Sequence, residues 1–540
     1  MQTMGNQDDR LNCLYSVAEI RAIETHALAT QLDQGKQDTL SLMQKAGLAA
    51  ANLATELLVQ PQASPHAQPP AQAPAKILKV LILAGPGNNG GDAFEVAAIL
   101  SARGHAVYVV QCGDTANYSS DALSSLHKAQ GHKVQWIDAA SLATLPADWA
   151  LIIDGLFGIG LKRAPAGNIA SLIRDINKLA AETAIPLLAL DVPSGLNADT
   201  GQVTGVDGSA ICATHTISFI GNKPGLHTGA GRDYAGQVSV ATLDIPANFF
   251  PPARACLNTA KSLQAILQPR RQNSHKGSYG DVVIIGGASG MVGAAILAAR
   301  AAQFSGAGRI YCGIPDAAPL APPAPPAPPY DSLHPEIMFR VPEELDFNHR
   351  HVVIGPGLGM SASVQALLTR AINTAQTLVI DADALNLIAA DQALARLLAA
   401  RTAASVLTPH PLEAARLLQQ DVTEVQADRL LAARKLAQQL NAVVVLKGSG
   451  SIICEANGDL SINTSGNPAL ASGGTGDVLA GVTGALLAQG CTATEAARIA
   501  VWAHGYAADE LVAQGIGPIG LTASELLPVI RKNLNRLVMA

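Results

Sequence analysis

Short, wholly apolar runs recur along the 540 residues, each followed by an Ala/Leu-rich stretch of helical character. KVLILA (79–84), AVYVVQ (106–111), ALIID (150–154), LLALDV (187–192) and THTISF (214–219) fall in the first half. DVVIIGG (281–287), HVVIGPG (351–357), TLVIDAD (377–383), ASVLTPH (404–410) and AVVVLKG (442–448) fall in the second. Runs without polar alternation belong to strands buried on both faces, which implies parallel sheets covered by helices on each side. The pattern breaks at IPANFFPPARACLN (245–258). The chain therefore reads as two three-layer α/β/α domains, residues 14–246 and 258–540, joined by a linker at 247–257.

Composition narrows the function. Hydrophobic residues make up 49% of the chain but aromatic ones only 4%, so Ala and Gly carry much of the apolar content, which suits close-packed helices and tight loops. A net charge of −6 and the lack of a dense Lys/Arg stripe speak against a nucleic-acid partner. The seven cysteines are scattered, odd in number and form no CxxC pair, so neither a disulfide framework nor a zinc site is expected. Free thiols fit a cytoplasmic setting. MQTMGNQDDRLN lacks the apolar core of a signal peptide, and no apolar run is long enough for a membrane span. The segments 61–75 and 318–329 read as extended proline-rich spacers or surface insertions, with an SH3-type ligand as the alternative.

Ligands of such sheets bind beyond the carboxyl ends of the strands. In the first half three strand ends carry polar groups: LAGPGNNGGDAF (83–94), IDGLFGIGLKRAP (153–165) and LDVPSGLNADTG (190–201). The first joins a glycine turn to a helix start, whose free N–H groups suit an anion. Asn89, Asp154 and Ser194 are hard oxygen donors with little net charge, a set for a monovalent or alkaline-earth cation rather than zinc. The plainer reading makes Asp92 and Asp154 helix caps and Ser194 a turn residue. The loop is neither a dinucleotide GxGxxG nor a Walker motif.

GPGNNGGD, IDGLFGIG and DVPSG, in that order, resemble the YjeF N-terminal domain family, the NAD(P)H-hydrate epimerases, over roughly 14–246. The resemblance implies a Rossmann-like fold that interconverts the R and S forms of nicotinamide hydrated at C6. It places Asn88, Asn89, Gly90, Gly91 and Asp92 around the substrate. Gly158, Ile159, Gly160, Leu161, Lys162, Arg163 and Ala164 form a second substrate loop. K+ falls on Asn89, Asp154 and Ser194, and Asp191 binds the substrate and is the candidate acid/base. Ala93 stands where the family often has Gly, and is expected to be harmless inside a first helical turn.

In the second half HKGSYG, GPGLG, DADALN, TPHP and SGGTGDVLAG resemble, in family order, the YjeF C-terminal domain, a ribokinase-like fold comprising the ADP- or ATP-dependent NAD(P)H-hydrate dehydratases. The resemblance implies nucleotide binding at Lys447, Gly448, Ser449, Gly450, Ser451 and Gly476. It implies hydrate binding at Ala294, Gly357, His410 and Asp477, with Asp477 as catalytic base. Mg2+ would accompany the nucleotide phosphates. ADP is the expected donor, since fused bacterial members generally use it, and homo-oligomers are common in the family. Leu412 replaces the commoner Gly of TPHPGE, at a helix start where little effect is expected.

The chemistry fits this pattern. Hydroxide is a poor leaving group, and phosphorylating the hydrate hydroxyl makes a good one. That step needs a base at the hydroxyl and donors around the migrating phosphoryl. Asp477 and the amides of Gly474, Thr475 and Gly476 stand in those places. Plainer readings remain: Asp477 as a helix cap, His410 as structural, Lys447 as a surface lysine, Asp383 and Asn386 as packing and capping residues. Sugar and vitamin kinases share a GxGD turn, so the alternative is a small-metabolite kinase carrying a non-catalytic first domain.

Overall fold

The computed structural model describes residues 9–33, 40–59, 77–144, 148–205, 208–264, 266–315 and 331–539, and the proline-rich segments at 61–75 and 318–329 lie outside them. The chain divides into two compact units, Met1–Ala253 and Arg254–Ala540.

The first unit is built on β1 Lys79–Ala84, β2 Ala106–Gln111, β3 Val134–Ile137, β4 Leu151–Gly155, β5 Leu187–Leu190, β6 His215–Phe219 and β7 Gln237–Ala241. They form one parallel sheet in the order β3-β2-β1-β4-β5-β6-β7. Side chains alternate between two cores. Val80, Ile82 and Ile153 pack under the helices Leu42–Val59 and Asn88–Ala102, while Leu81, Leu83 and Ile152 pack under Gly167–Thr183. Strand order reverses between β1 and β4, and a crevice opens at such a reversal. The loops after β1, β4 and β5 therefore gather at one place. The apolar runs mark the central strands. The edge strands β3 and β7 escape that pattern because they are only partly buried.

The second unit carries β8 Ala255–Asn258, β9 Asp281–Ile285, β10 Arg309–Gly313, β11 Met338–Arg340, β12 His351–Ile354, β13 Thr377–Ile380, β14 Ser405–Leu407, β15 Val443–Leu446, β16 Ile452–Cys454 and β17 Leu460–Asn463. The sheet runs β11-β10-β9-β12-β13-β14-β15-β16-β17-β8. It is parallel except for the hairpin partners β15, β16 and β17. Residues 255–257, expected in the linker, instead belong to β8, an edge strand pairing with β17. Four residues beside a proline cluster give no periodic signal, and only the distant partner makes them a strand.

Two helices under this sheet, Val292–Phe304 and Thr475–Ala488, meet through small residues. A Cβ on Gly481 would stand 2.1 Å from the Ala298 carbonyl oxygen, and one on Gly484 would stand 2.4 Å from Val353. This contact uses the Ala/Gly content directly, because backbones this close exclude larger side chains.

Candidate functional site

The three loops of the first unit enclose a cavity of about 900 Å3. Asn88, Asn89, Asp92, the run Gly158 to Ala164, and Asp191 all line it. Gly90 and Gly91 do not. A Cβ on Gly90 would stand 2.0 Å from the Gly85 carbonyl oxygen, and one on Gly91 would stand 2.6 Å from the end of Met43, so both serve close packing. Asp92 is not the helix cap, since the N-cap position is Gly87 and no side chain caps it. Ala93 lies within the helix Asn88–Ala102 and is not among the positive-φ residues.

Asp154 is fully buried at the end of β4. Its Oδ1 accepts from Ser194 Oγ at 2.7 Å and from the Leu156 amide at 3.1 Å, and its Oδ2 accepts from the Ser194 amide at 2.8 Å. Burial pushes its pKa up to about 6, against the hydrogen bonds from Ser194 and Leu156. Asn89 donates to the Leu190 carbonyl at 3.2 Å, which leaves its buried Oδ1 with no hydrogen-bond partner. An orphaned carbonyl oxygen, a buried carboxylate and a hydroxyl, at or just beyond the ends of the adjacent strands β1, β4 and β5, make a donor set whose chemistry fits a hard monovalent cation.

Asp191 follows β5 in a left-handed conformation, φ 66°, which an L-residue holds only when its surroundings fix it. Those surroundings are visible. Its Oδ1 pairs with Lys223 Nζ at 2.5 Å, and its Oδ2 accepts from the Ile159 amide at 3.2 Å. Lys223 is fully buried and spends its other donors on Ser218 Oγ and the Phe219 carbonyl, each at 2.8 Å. Gly158 must lack a side chain, because a Cβ there would stand 2.8 Å from Asp191 Oδ2. Burial, then the Asp191 charge, raise the proton affinity of Asp92 and of Glu24, and Glu24 reaches the cavity from the helix Val17–Asp33.

In the second unit the helix Thr475–Ala488 begins on Gly474, φ 89°, with no side chain capping it. Asp477 thus sits in the first turn without acting as the cap. Thr475 Oγ1 donates to the carbonyls of Leu470 and Ser472 at 2.9 and 3.0 Å, tying the turn together. Burial and then the Asp381 charge push the Asp477 pKa up to about 6, opposed by Lys447. Lys447, after β15, is no surface residue: its Nζ donates to buried Asp381 at 2.8 Å and lies 4.0 Å from Glu413. Burial alone would lower its proton affinity, but Asp381 and Glu413 raise it beyond the ordinary lysine value.

His410 caps the helix Pro411–Leu418, its Nδ1 accepting from the Leu412 and Glu413 amides. Burial, then Lys447, lower its pKa. Leu412 is the second residue of that helix and projects outward, 43% exposed. GPGLG packs against the turn after β9, where the Gly287 amide donates to Pro356 O at 2.9 Å and the Ala288 amide to Gly357 O at 2.7 Å. A Cβ on Gly357 would stand 3.1 Å from that of Ala294, so these two predicted hydrate contacts do meet. Asp383 accepts from the Gly359 amide and Asn386 from Arg416, in line with packing and capping roles. The turn after Lys447 is held by Arg429, which donates to the carbonyls of Leu446 and Lys447 at 3.3 Å, while Gly448 adopts φ 137° and Ser451 Oγ donates to the Gly448 carbonyl at 3.1 Å.

Residues 39–225 match the family described as YjeF-related protein N-terminus, and residues 282–532 match the one described as NAD(P)H-hydrate dehydratase. The bifunctional NAD(P)H-hydrate repair enzyme Nnr of Vibrio cholerae is 37% identical over 96% of this chain and 99% of its own length. The Leishmania braziliensis bifunctional NAD(P)H-hydrate repair enzyme is 35% identical over 96% of this chain and 92% of its own. The chain belongs to the bifunctional NAD(P)H-hydrate repair enzymes. Its first unit carries the epimerase region and its second the dehydratase region. A solved Bacillus subtilis ADP/ATP-dependent NAD(P)H-hydrate dehydratase, co-crystallised with ATP and Mg2+, is 30% identical over 52% of this chain and 98% of that one, with a TM-score of 0.44.

Several residues that the structure places beside the expected site residues carry little signal in the sequence. Lys223, in GNKPG, is a lone lysine just after an apolar run, and that is the one signal the sequence carries for it. Asp381 is the first acid of DADALN, directly after an apolar run. Glu413 completes a capping box with His410, which the three-residue spacing announces. Glu24 and Arg429 carry no local signal.

Proposed function

We propose that the first unit exchanges the C6 epimers of NAD(P)H hydrate through Asp191 and Asp92, and that the second phosphorylates the S hydrate with the ADP–Mg2+ complex through Asp477. The observation carrying this reading is that Asp92 and Asp477 stand near the starts of their helices, where burial and neighbouring carboxylates raise their proton affinity, while Lys223 and the Ile159 amide fix Asp191 beside the same cavity as Asp92. Inverting C6 requires its C–O bond to break and to re-form on the other face. Asp92, with raised proton affinity, protonates the leaving hydroxyl, and the ring nitrogen shares the positive charge left on C6. Water adds to the opposite face and gives its proton to Asp191, which Lys223 and the Ile159 amide hold in place.

In the second unit Asp477 takes the proton of the C6 hydroxyl as its oxygen attacks the β-phosphorus of ADP, and AMP leaves. Lys447 and the amides at the Gly474 turn support the charge of the migrating phosphoryl. The C6–O bond then breaks with its electron pair going to phosphate, and loss of a proton from C5 restores the dihydronicotinamide. The test is recovery of the near-ultraviolet absorbance of NAD(P)H from an R/S hydrate mixture supplied with ADP or ATP. Full recovery is expected. Recovery that stalls near about half would contradict the epimerase role, because one epimer would go unused. No recovery with either nucleotide would contradict the dehydratase role.

K+ is the cation we assign to Asn89, Asp154 and Ser194. It would offset the buried charge of Asp154 and order the loop that follows β4. Thermal unfolding should show a higher Tm in K+ than in a bulky cation of equal ionic strength, because binding the native state alone stabilises it. Asp154→Asn should abolish that difference, and a difference that survives the substitution would remove the site.

A further inference from the structure

We propose that Asp381 is a positioning residue of the phosphoryl-transfer site, whose buried carboxylate aims the Lys447 ammonium at the Gly474–Asp477 turn. The proposal rests on the roles given above to Lys447 and Asp477. Asp381 directly follows β13 and is 1% exposed. Its Oδ1 takes two hydrogen bonds, from Thr408 Oγ1 and from Lys447 Nζ, both at 2.8 Å. Thr408 is itself fully buried, so the carboxylate is fixed from behind by a side chain that cannot move aside. A Cβ on Gly476 would stand 3.5 Å from Lys447 Nζ and 3.9 Å from Asp381 Oδ2. The ammonium and its carboxylate thus lie against the turn that presents its amides to an anion. A free lysine of this length would lose rotamer entropy on reaching such a place, and the buried anchor removes that cost before substrate arrives.

The same carboxylate acts on both groups of the reaction. It repels charge on Asp477 and favours charge on Lys447. The other titratable groups facing the pair are Glu413 and His410 at the helix Pro411–Leu418, Asp383 at the helix Ala382–Ala390, and His504 on Ala493–Ala513. None of them is bonded to Lys447 as closely as Asp381 among the described residues.

The experiment is the pH profile of kcat for S-hydrate dehydration by the full-length chain, wild type against Asp381→Asn. The variant should lose about 10–100-fold in kcat, the size expected when a transition-state donor is misplaced. Both limbs should move to lower pH, the acid limb because Asp477 loses a repelling charge and the alkaline limb because Lys447 loses its partner. R/S exchange by the first unit should be unchanged. A uniform loss with neither limb displaced, or normal kinetics, would overturn the proposal. Lys447→Met and the double variant Asp381→Asn/Lys447→Met guard against a fold defect, since the double removes both charges together. On the pH plateau, where the ionisation of Asp477 is complete, they should lose the same factor, and a further loss there in the double variant would overturn the positioning role. If the wild type itself fails to dehydrate the hydrate, the dehydratase reading falls rather than this inference alone.

Discussion

Asp477→Asn should lower the dehydration rate about 10²–10⁴-fold, the range general-base catalysis contributes, while R/S exchange of the hydrate continues at the wild-type rate. The amide keeps the shape of the side chain and cannot accept the hydroxyl proton. The wild-type rate carries a matching signature in pH. Burial and Asp381 place the Asp477 pKa at about 6, so the base is ionised above that pH and protonated below it. The rate of the phosphoryl step should therefore fall as pH drops through about 6 rather than near the ordinary aspartate value. Stopped-flow or single-turnover kinetics with preformed S hydrate would separate this step from product release. Near-normal dehydration by the variant would remove Asp477 from the mechanism and leave the anion turn as the main contributor.

Lys223→Met should have the largest effect on the first unit. Lys223 is fully enclosed and all three of its donors are used, so the substitution leaves Asp191 buried beside an apolar side chain. Breaking a buried pair from one side costs up to about 3–5 kcal/mol, because the remaining carboxylate loses its counter-charge and keeps only backbone amides such as that of Ile159. Denaturant unfolding of the full chain should show the transition of the first unit moved to markedly lower denaturant, with that of the second unit unchanged. R/S exchange should be lost as well, since the positive-φ backbone of Asp191 depends on the bonds that surround its carboxylate. Asp191→Asn/Lys223→Met restores a neutral pair and should recover much of the stability without the exchange activity. Equal stability of Lys223→Met and wild type would mean that the cavity solvates the Asp191 carboxylate well enough without the ammonium, and would remove Lys223 as its anchor.

Much of this molecule is legible from its amino acids in order. Strands buried on both faces have to be apolar without interruption, so the central strands of both sheets announce themselves, and glycine-rich turns at their ends locate the ligand-facing loops. Asn89, Asp154, Ser194, Asp191 and Asp477 stand out because polar side chains at such ends have few reasons to be there. Edge strands do not announce themselves: β3 and β7 are partly solvated, and β8 is a strand only because β17 lies beside it. Gly90 and Gly91 look like ligand-cradle residues in sequence, yet their missing side chains serve contacts with Gly85 and Met43.

What tertiary structure alone decided is which charges meet. Lys223 comes 32 positions after Asp191, and Lys447 comes 66 after Asp381. No local periodicity links residues so far apart. Parallel strands bring such residues together by setting their carboxyl ends side by side, and burial then gives each pair its strength. A lysine reads as a surface residue in one dimension. Enclosed beside a carboxylate that packing has already dehydrated, it becomes part of the site.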